Sequence, residues 1–182
     1  MGRLIMWNLI TLDGYFEGEK NWDLDFHEIV WGHELEKLSI EQLEKAEALL
    51  FGRVTYEGMA AYWQTAKGVI ADQMNSIKKI VCSTTLKTAD WNNSTLVKDN
   101  IPQQVAEIKS KSQKDIYIFG SSILSETLIR ENLIDEYRIC IVPVILGKGR
   151  PIFPSGLPET KLKLSSSRSL ENGGILCFYD PT

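Results

Sequence analysis

Apolar residues along this chain come in short blocks, and most blocks are closed by a glycine, a hydroxyl residue or an Asp-Gly pair. Blocks of that kind predict strands, and those that are apolar throughout predict strands covered on both faces. Strands are expected over Arg3 to Leu9, with a turn at Asp13-Gly14; over Leu49 to Phe51, ending at Gly52-Arg53; and over Lys79 to Cys82, ending at Ser83-Thr84-Thr85. Further strands are expected over Thr95 to Val97, over Asp115 to Phe119 before Gly120-Ser121-Ser122, and over Glu136 to Val142, which precedes a turn at Gly147-Lys148-Gly149. Lys161 to Leu170 and Ile175 to Tyr179 predict a closing hairpin across Asn172-Gly173-Gly174.

Between the strands the period lengthens to that of a helix. Ser39-Ile40-Glu41-Gln42 has the form of a capping box and predicts a helix from Ser39 to about Glu47. Helical patterns continue from Arg53 to Trp63 and from Asp72 to Ser76. Another follows Pro102, with Val105 and Ile108 on one face, and a last one carries the stripe Ile123, Leu124, Leu128, Ile129. The stretch Tyr15 to Asp25 is aromatic and acidic, flanked by Gly14 and containing Gly18, and reads as a loop, either a cover for a ligand or a surface excursion. Strands alternating with helices indicate an α/β fold: a sheet with parallel central strands, helices on both faces and an antiparallel hairpin at one edge. No linker or repeat interrupts residues 1–182, so a single domain is expected.

Composition narrows the partners. Of 182 residues 43% are apolar, enough for a core without staples, and the net charge is -4 with no basic run longer than Lys78-Lys79. A nucleic-acid or membrane surface is therefore not expected, and any anion site must be local. Cys82, Cys140 and Cys177 each sit inside a predicted strand and read as reduced core residues. The N-terminal apolar run is broken by Asn8 and stopped by Asp13, too short for a signal sequence or a span, which leads to a cytoplasmic expectation. His27 and His33 are six residues apart, unsuited to a helical metal pair, so no metal site is expected.

Three predicted strands end in short polar turns: Gly52-Arg53-Val54-Thr55, Cys82-Ser83-Thr84 and Gly120-Ser121-Ser122. The carboxyl ends of parallel strands share one edge of a sheet, where ligands bind. Two of these turns also open helices, whose free N–H groups and positive dipole end suit a phosphate. Arg53 adds a charge-assisted hydrogen bond worth about 1.5–3 kcal/mol to an ionised partner, and Ser83 and Thr84 add hydroxyls. Together they suit a dinucleotide, although no G-x-G-x-x-G fingerprint is present.

The stretches TLDGYFEG, LLFGRVTYEGMAAYW, IVCSTTL and IYIFGSSILSETLIRENLIDEYRICIVPVILGKGRPIF, in this order and covering nearly the whole chain, resemble the dihydrofolate reductase superfamily. The similarity is to its branch containing the reductase domain of bacterial riboflavin biosynthesis. It implies a dihydrofolate reductase-like three-layer fold with about eight mostly parallel strands and NADPH lying across their carboxyl ends. It also implies a homodimer paired through the C-terminal part of the sheet, for which the apolar run Ile139 to Leu146 is the available support.

Carried over residue by residue, Gly52, Arg53 and Thr55 match the turn that holds the pyrophosphate and 2′-phosphate region. Ser83 and Thr84 match the pair beside the adenosine phosphate, and Gly120 and Ser121 match the glycine-rich turn at the pyrophosphate, with Ser122 where relatives often carry glycine. The implied activity is NADPH-dependent reduction of a small heterocycle, similar to 5-amino-6-(5-phosphoribosylamino)uracil reductase. The alternatives are a dihydrofolate reductase-type activity or a non-catalytic NADP-binding dimeric module. No deaminase domain and no second phosphate site can be read, and Glu28 and Glu34 fall in the stretch where folate reductases carry their pterin-binding acid.

Asp13, in a Thr-Leu-Asp-Gly version of the family's Ser-Leu-Asp-Gly motif, is the catalytic candidate, to orient the nicotinamide or help protonate the substrate; Asp-Gly is equally an ordinary turn. Trp22, Met59 and Trp63 are candidates for a planar-ring pocket, Met59 and Trp63 being four apart on one helix face. Glu57 is either an acid facing the crevice or an exposed helix carboxylate. Hydride chemistry belongs to the nicotinamide, which explains the lack of a triad or carboxylate pair.

Overall fold

The computed structural model describes residues 2–182. In chain order the strands are β1 (Leu4–Thr11), β2 (Tyr15–Glu17), β3 (Ala46–Gly52), β4 (Lys78–Cys82), β5 (Ser94–Val97), β6 (Asp115–Phe119), β7 (Glu136–Val142), β8 (Arg150–Pro151), β9 (Leu162–Ser169) and β10 (Ile175–Pro181). The helices are α1 (His33–Lys45), α2 (Arg53–Trp63), α3 (Val69–Ser76), α4 (Ile101–Lys111) and α5 (Ser122–Arg130), with a 3₁₀ turn over Asp25–Ile29. Eight strands form one sheet in the order β5-β4-β3-β6-β1-β7-β10-β9. The six strands from β5 to β7 run parallel, and β10 is antiparallel to both of its neighbours, as expected of the closing hairpin.

Alternation along the central strands fills two cores, one on each face. Ile5, Trp7, Leu49, Phe51 and Tyr117 pack with Leu35 and Leu43 of α1, Tyr56 of α2 and Met74 of α3. Leu4, Met6, Leu50, Ile116 and Ile118 pack on the other face with Val105 of α4 and Leu128 and Ile129 of α5. Each such side chain stabilises the fold by about 1.5–3 kcal/mol when fully buried, so the two-sided cover holds the three layers together. All three cysteines are free and buried, as their strand positions predict. Lys79 is buried as well, its Nζ donating to the carbonyls of Met74 (3.0 Å) and Asn75 (2.9 Å) at the end of α3. Desolvation lowers its pKa to about 8.

Several expectations are corrected. Ser39 is not a cap: α1 starts six residues earlier, after Gly32, and the Ser39 Oγ donates to the Leu35 carbonyl within the helix. The start signal lay instead in Glu34 and Glu36, which suit the positive end of the helix dipole. Ala46 and Glu47 belong to β3, not to the helix. The excursion after Gly14 is not wholly loop, because β2 pairs with β8, more than a hundred residues away. Within the Ile139–Leu146 run, Ile139, Cys140 and Val142 are buried inside the sheet, while Ile145 after the strand is 73% exposed, so only the end of this stretch presents an apolar surface. The edge strand β9 also presents exposed apolar side chains, at Leu162 and Leu164. Ile123 is 77% exposed and does not share the buried face of Leu124, Leu128 and Ile129. No helix among the described residues is long and apolar enough to cross a membrane.

Candidate functional site

Because β3, β4 and β6 are parallel, their three terminal turns emerge at one edge of the sheet. A cavity of about 570 Å³ opens there, within the range of small-molecule and cofactor sites. Gly52, Arg53, Thr55, Ser83, Thr84, Gly120, Ser121 and Ser122 all line it, and so do Trp22, Met59 and Trp63. Of the residues singled out in the sequence, Asp13, Glu28, Glu34 and Glu57 do not.

The turns touch one another. A Cβ added at Gly52 would run into the Ser121 side chain, so only glycine lets the end of β3 lie against the turn after β6. Gly120 has φ +57°, a conformation that favours glycine, and a Cβ there would sit 3.5 Å from Thr55 Oγ1. Ser121 holds the same left-handed region at φ 55°, a local strain of roughly 1 kcal/mol that leads the chain into α5. Neither α2 nor α5 has a side-chain cap. The first N–H groups of both helices are thus available to a ligand, and both helices start on cavity-lining residues.

Arg53 sits on the rim and is paired with Glu57 one turn on, at 3.0 Å, both side chains close to half exposed. Glu57 is thus an exposed helix carboxylate. An exposed pair of this type contributes about 0.3–0.5 kcal/mol, less than a charge-assisted bond to a phosphate, so Glu57 leaves Arg53 free to turn to a ligand. Ser83 is buried, its Oγ accepting from the N–H groups of Thr85 (3.2 Å) and Leu86 (3.0 Å); it shapes the turn, and Thr84 is the exposed hydroxyl.

Beneath Gly120 lies a residue that was read only as an interruption of the N-terminal apolar run. Asn8 of β1 is 6% exposed and lines the cavity. Its Oδ1 accepts from the Gly120 N–H at 2.9 Å, which fixes the amide, and its buried Nδ2 has no partner. An orphaned buried donor costs roughly 1–3 kcal/mol. That cost, together with two uncapped helix starts and a rim cation, fits a site built for a ligand with anionic and carbonyl oxygens.

The other half of the cavity is aromatic. Trp7, Trp22, Trp31 and Trp63 line it, four of the five tryptophans in the chain. Trp63 Nε1 donates to Met59 Sδ at 3.2 Å, so the pair read from their spacing does touch. The Trp22 indole lies directly over Gly58 of α2, where an added Cβ would fall inside the ring. Its backbone, at φ 66°, is held by a 2.6 Å bond from its N–H to Glu17 Oε1, and Glu17 Oε2 is paired with Arg150 Nε at 3.3 Å. His27 also lines this half, and burial lowers its pKa to about 4, so the ring is neutral at physiological pH.

Gln42 of α1 is 3% exposed, and its Oε1 accepts from Arg138 Nη1 at 2.9 Å. Glu17, Gln42, Arg150 and Asn8 were not identified from sequence. The available signal was a polar side chain in an apolar strand at Asn8, and one on the helix face that carries Leu35 and Leu43 at Gln42.

Asp13 has a different place. Its Oδ1 accepts from the Thr11 hydroxyl (2.6 Å) and the Leu146 N–H (3.1 Å), and its Oδ2 accepts from the Gly147 N–H (2.7 Å). The Thr11 bond first, then the two backbone bonds, lower its pKa to about 2. A carboxylate that stays ionised and ties one loop to another is a poor proton donor. This geometry fits the turn reading of Asp-Gly.

Comparison with known proteins agrees with this architecture. The chain is similar to the uncharacterized protein YyaP of Bacillus subtilis, 29% identical over 182 residues, covering 97% of this chain and 94% of that protein. A candidate riboflavin biosynthesis protein from Shewanella sp. PV-4 shares the fold with a TM-score of 0.83 at 21% identity, over 100% of this chain and 99% of that one. Dihydrofolate reductase from Enterococcus faecalis, solved with NADP(H) bound, shares it with a TM-score of 0.66 at 15% identity, over 100% and 97% of the two chains. The model of the RibD C-terminal domain matches residues 3–176. With its eight-stranded, mostly parallel sheet and three convergent turns, the chain belongs to the RibD C-terminal domain family, within the dihydrofolate reductase fold.

Proposed function

We propose that this chain is an NADPH-dependent reductase of a small heterocyclic substrate. The observation that carries the reading is the meeting of three strand-end turns, two uncapped helix starts and Arg53 on one cavity whose remaining wall is aromatic. The turn residues Gly52, Thr55, Thr84, Gly120 and Ser122 would hold the pyrophosphate, Arg53 the 2′-phosphate, and Asn8 a carbonyl oxygen of the bound ligand. The nicotinamide supplies the hydride when bound. The chain supplies orientation, and a dry wall that strengthens every polar contact inside it.

The decisive measurement is a calorimetric titration with NADPH and NADH. NADPH binds tighter, and Arg53→Ala loses about 1.5–3 kcal/mol of that affinity, roughly tenfold to hundredfold. Equal affinity for the two cofactors, unchanged in the variant, would remove the reading. A second reading, a nucleotide-binding module without turnover, is favoured by the engagement of Asp13 away from the cavity. It requires NADPH to bind while no oxidation follows with dihydrofolate or the ribosylaminopyrimidine phosphate of riboflavin synthesis, and turnover of either disposes of it.

We also propose a homodimer. Support comes from β9, an edge strand exposed along its whole length that presents Leu162 and Leu164. Light scattering coupled to size exclusion should give twice the chain mass; a monomer at micromolar concentration would refute this.

A further inference from the structure

We infer that the aromatic half of the cavity takes an electrically neutral, flat ring bearing a carbonyl oxygen and no phosphate. The inference rests on the reductase reading and names the substrate class of the same site. Its first support is the wall: Trp7, Trp22, Trp31, Leu35, Met59 and Trp63 give large rigid apolar faces, onto which a planar ring stacks with little loss of freedom.

Its second support is the distribution of charge. Among the described residues, Arg53 and Arg150 are the two permanent cations lining the whole cavity. Arg53 belongs to the rim of turns. Arg150 is spoken for, since its Nε pairs with Glu17 Oε2 at 3.3 Å and its Nη2 donates to Asn21 Oδ1 at 2.9 Å. His27 is uncharged, its imidazole buried against Phe26. A phosphate dianion placed here would lose its water without gaining a cation, which is the costly way to bury a charge.

The third support is an oriented donor at Gln42. Arg138 donates to Gln42 Oε1 and to the Tyr117 hydroxyl while its Nε is held by Glu136, so this buried chain fixes which end of the Gln42 amide is the acceptor. The Nε2 donor is left for a ligand, and its complement is a carbonyl oxygen. Glu17 offers no comparable contact, because both of its oxygens are used inside the chain.

The test compares one ring with and without its phosphate. NADPH is titrated first, which examines the cofactor site on its own. The protein, both saturated with NADP⁺ and free of it, is then titrated with 5-amino-6-(ribosylamino)uracil and with its 5′-phosphate, following quenching of the tryptophans that line the cavity. The unphosphorylated compound should bind at least tenfold tighter in both cases. Gln42→Met, which keeps the volume and removes the donor, should weaken it at least tenfold while leaving NADPH affinity unchanged. Ser39→Arg, which adds a cation to the same wall, should shift the preference toward the phosphate by at least tenfold. Equal or tighter binding of the phosphate by the unmodified protein, or quenching by neither compound, would overturn the inference. Failure of NADPH to bind would instead strike the reductase reading alone.

Discussion

Replacing Glu136 by alanine should destabilise the fold by about 3–5 kcal/mol, the usual loss when one partner of a buried ion pair is removed. For a chain of this size that lowers the melting temperature by roughly 6–20 °C. The Glu136 side chain is 7% exposed and that of Arg138 12%, and they face each other at the start of β7. Glu136 also accepts from Arg3 Nη1 at 2.6 Å, but Arg3 is half exposed and keeps Asp115 at 2.8 Å, so its loss is minor. Arg138 has no such reserve. It is wedged over the rings of Tyr117 and Phe178, 5.4 and 5.6 Å from their centroids, and its remaining bonds go to neutral oxygens.

The charge, rather than the packing, is what the variant leaves behind, and a second variant separates the two. Glu136→Leu combined with Arg138→Met removes both charges and should recover about half of the loss or more, since apolar replacement of a whole buried pair is often close to neutral. Chemical denaturation of the variants decides it. A double variant no more stable than Glu136→Ala would show that the bonds to Gln42 and Tyr117, not the buried charge, dominate. Because Arg138 also holds Gln42, the single variant links the core to the cavity: loss of the ion pair should loosen an amide that lines it.

What the sequence could reveal here depended on whether the signal was local. β6 and β7 have the predicted limits, Asp115–Phe119 and Glu136–Val142, because an apolar block closed by turn residues needs no distant partner to be recognised. The convergence of Gly52, Ser83 and Gly120 was also accessible, through the rule that parallel strands share one carboxyl edge. Pairings across long separations were not. β2 owes its existence to β8, and β8 is two residues of a Gly-rich stretch that carries no strand pattern of its own.

Gln42 and Glu17 escaped for a related reason. A polar residue on a helix or in a loop reads as solvated until the tertiary fold buries it, and only burial turns it into an oriented donor or a clasp. Ser39 shows the opposite error, a correct local motif overridden because the helix found an earlier start at Gly32 with acidic residues in its first turn. Asp13 was legible as a turn residue and as a family motif, and its bonds to the Leu146 and Gly147 N–H groups fit the first.

Gly58→Val should reduce kcat/KM for the ring substrate about a hundredfold, because displacement of a positioning group by an ångström or more costs that much. The reason lies in Trp22 rather than in α2. Valine is compatible with a helix, but its Cβ would occupy the space now filled by the Trp22 indole. The indole must move, and with it the segment from Glu17 to Asp23, which is tied by the Trp22 N–H bond to Glu17 and the Gly18 N–H bond to the Asp23 carbonyl at 2.9 Å. Glu17 in turn holds Arg150, so a single side chain at Gly58 disturbs one whole wall of the aromatic half. Gly52 and Gly120 end β3 and β6, and although Arg53 and Thr55 share α2 with Gly58, the nearest atoms that an added Cβ would meet belong to Trp22 and not to them. NADPH affinity should therefore change by less than about threefold, well under 1 kcal/mol. Tryptophan emission gives a readout independent of turnover: it should shift to the red as Trp22 leaves its contact with Gly58 for solvent. An unchanged spectrum together with unchanged kcat/KM would mean that the segment over Gly58 takes no part in holding the substrate, and that the cavity is closed by other residues.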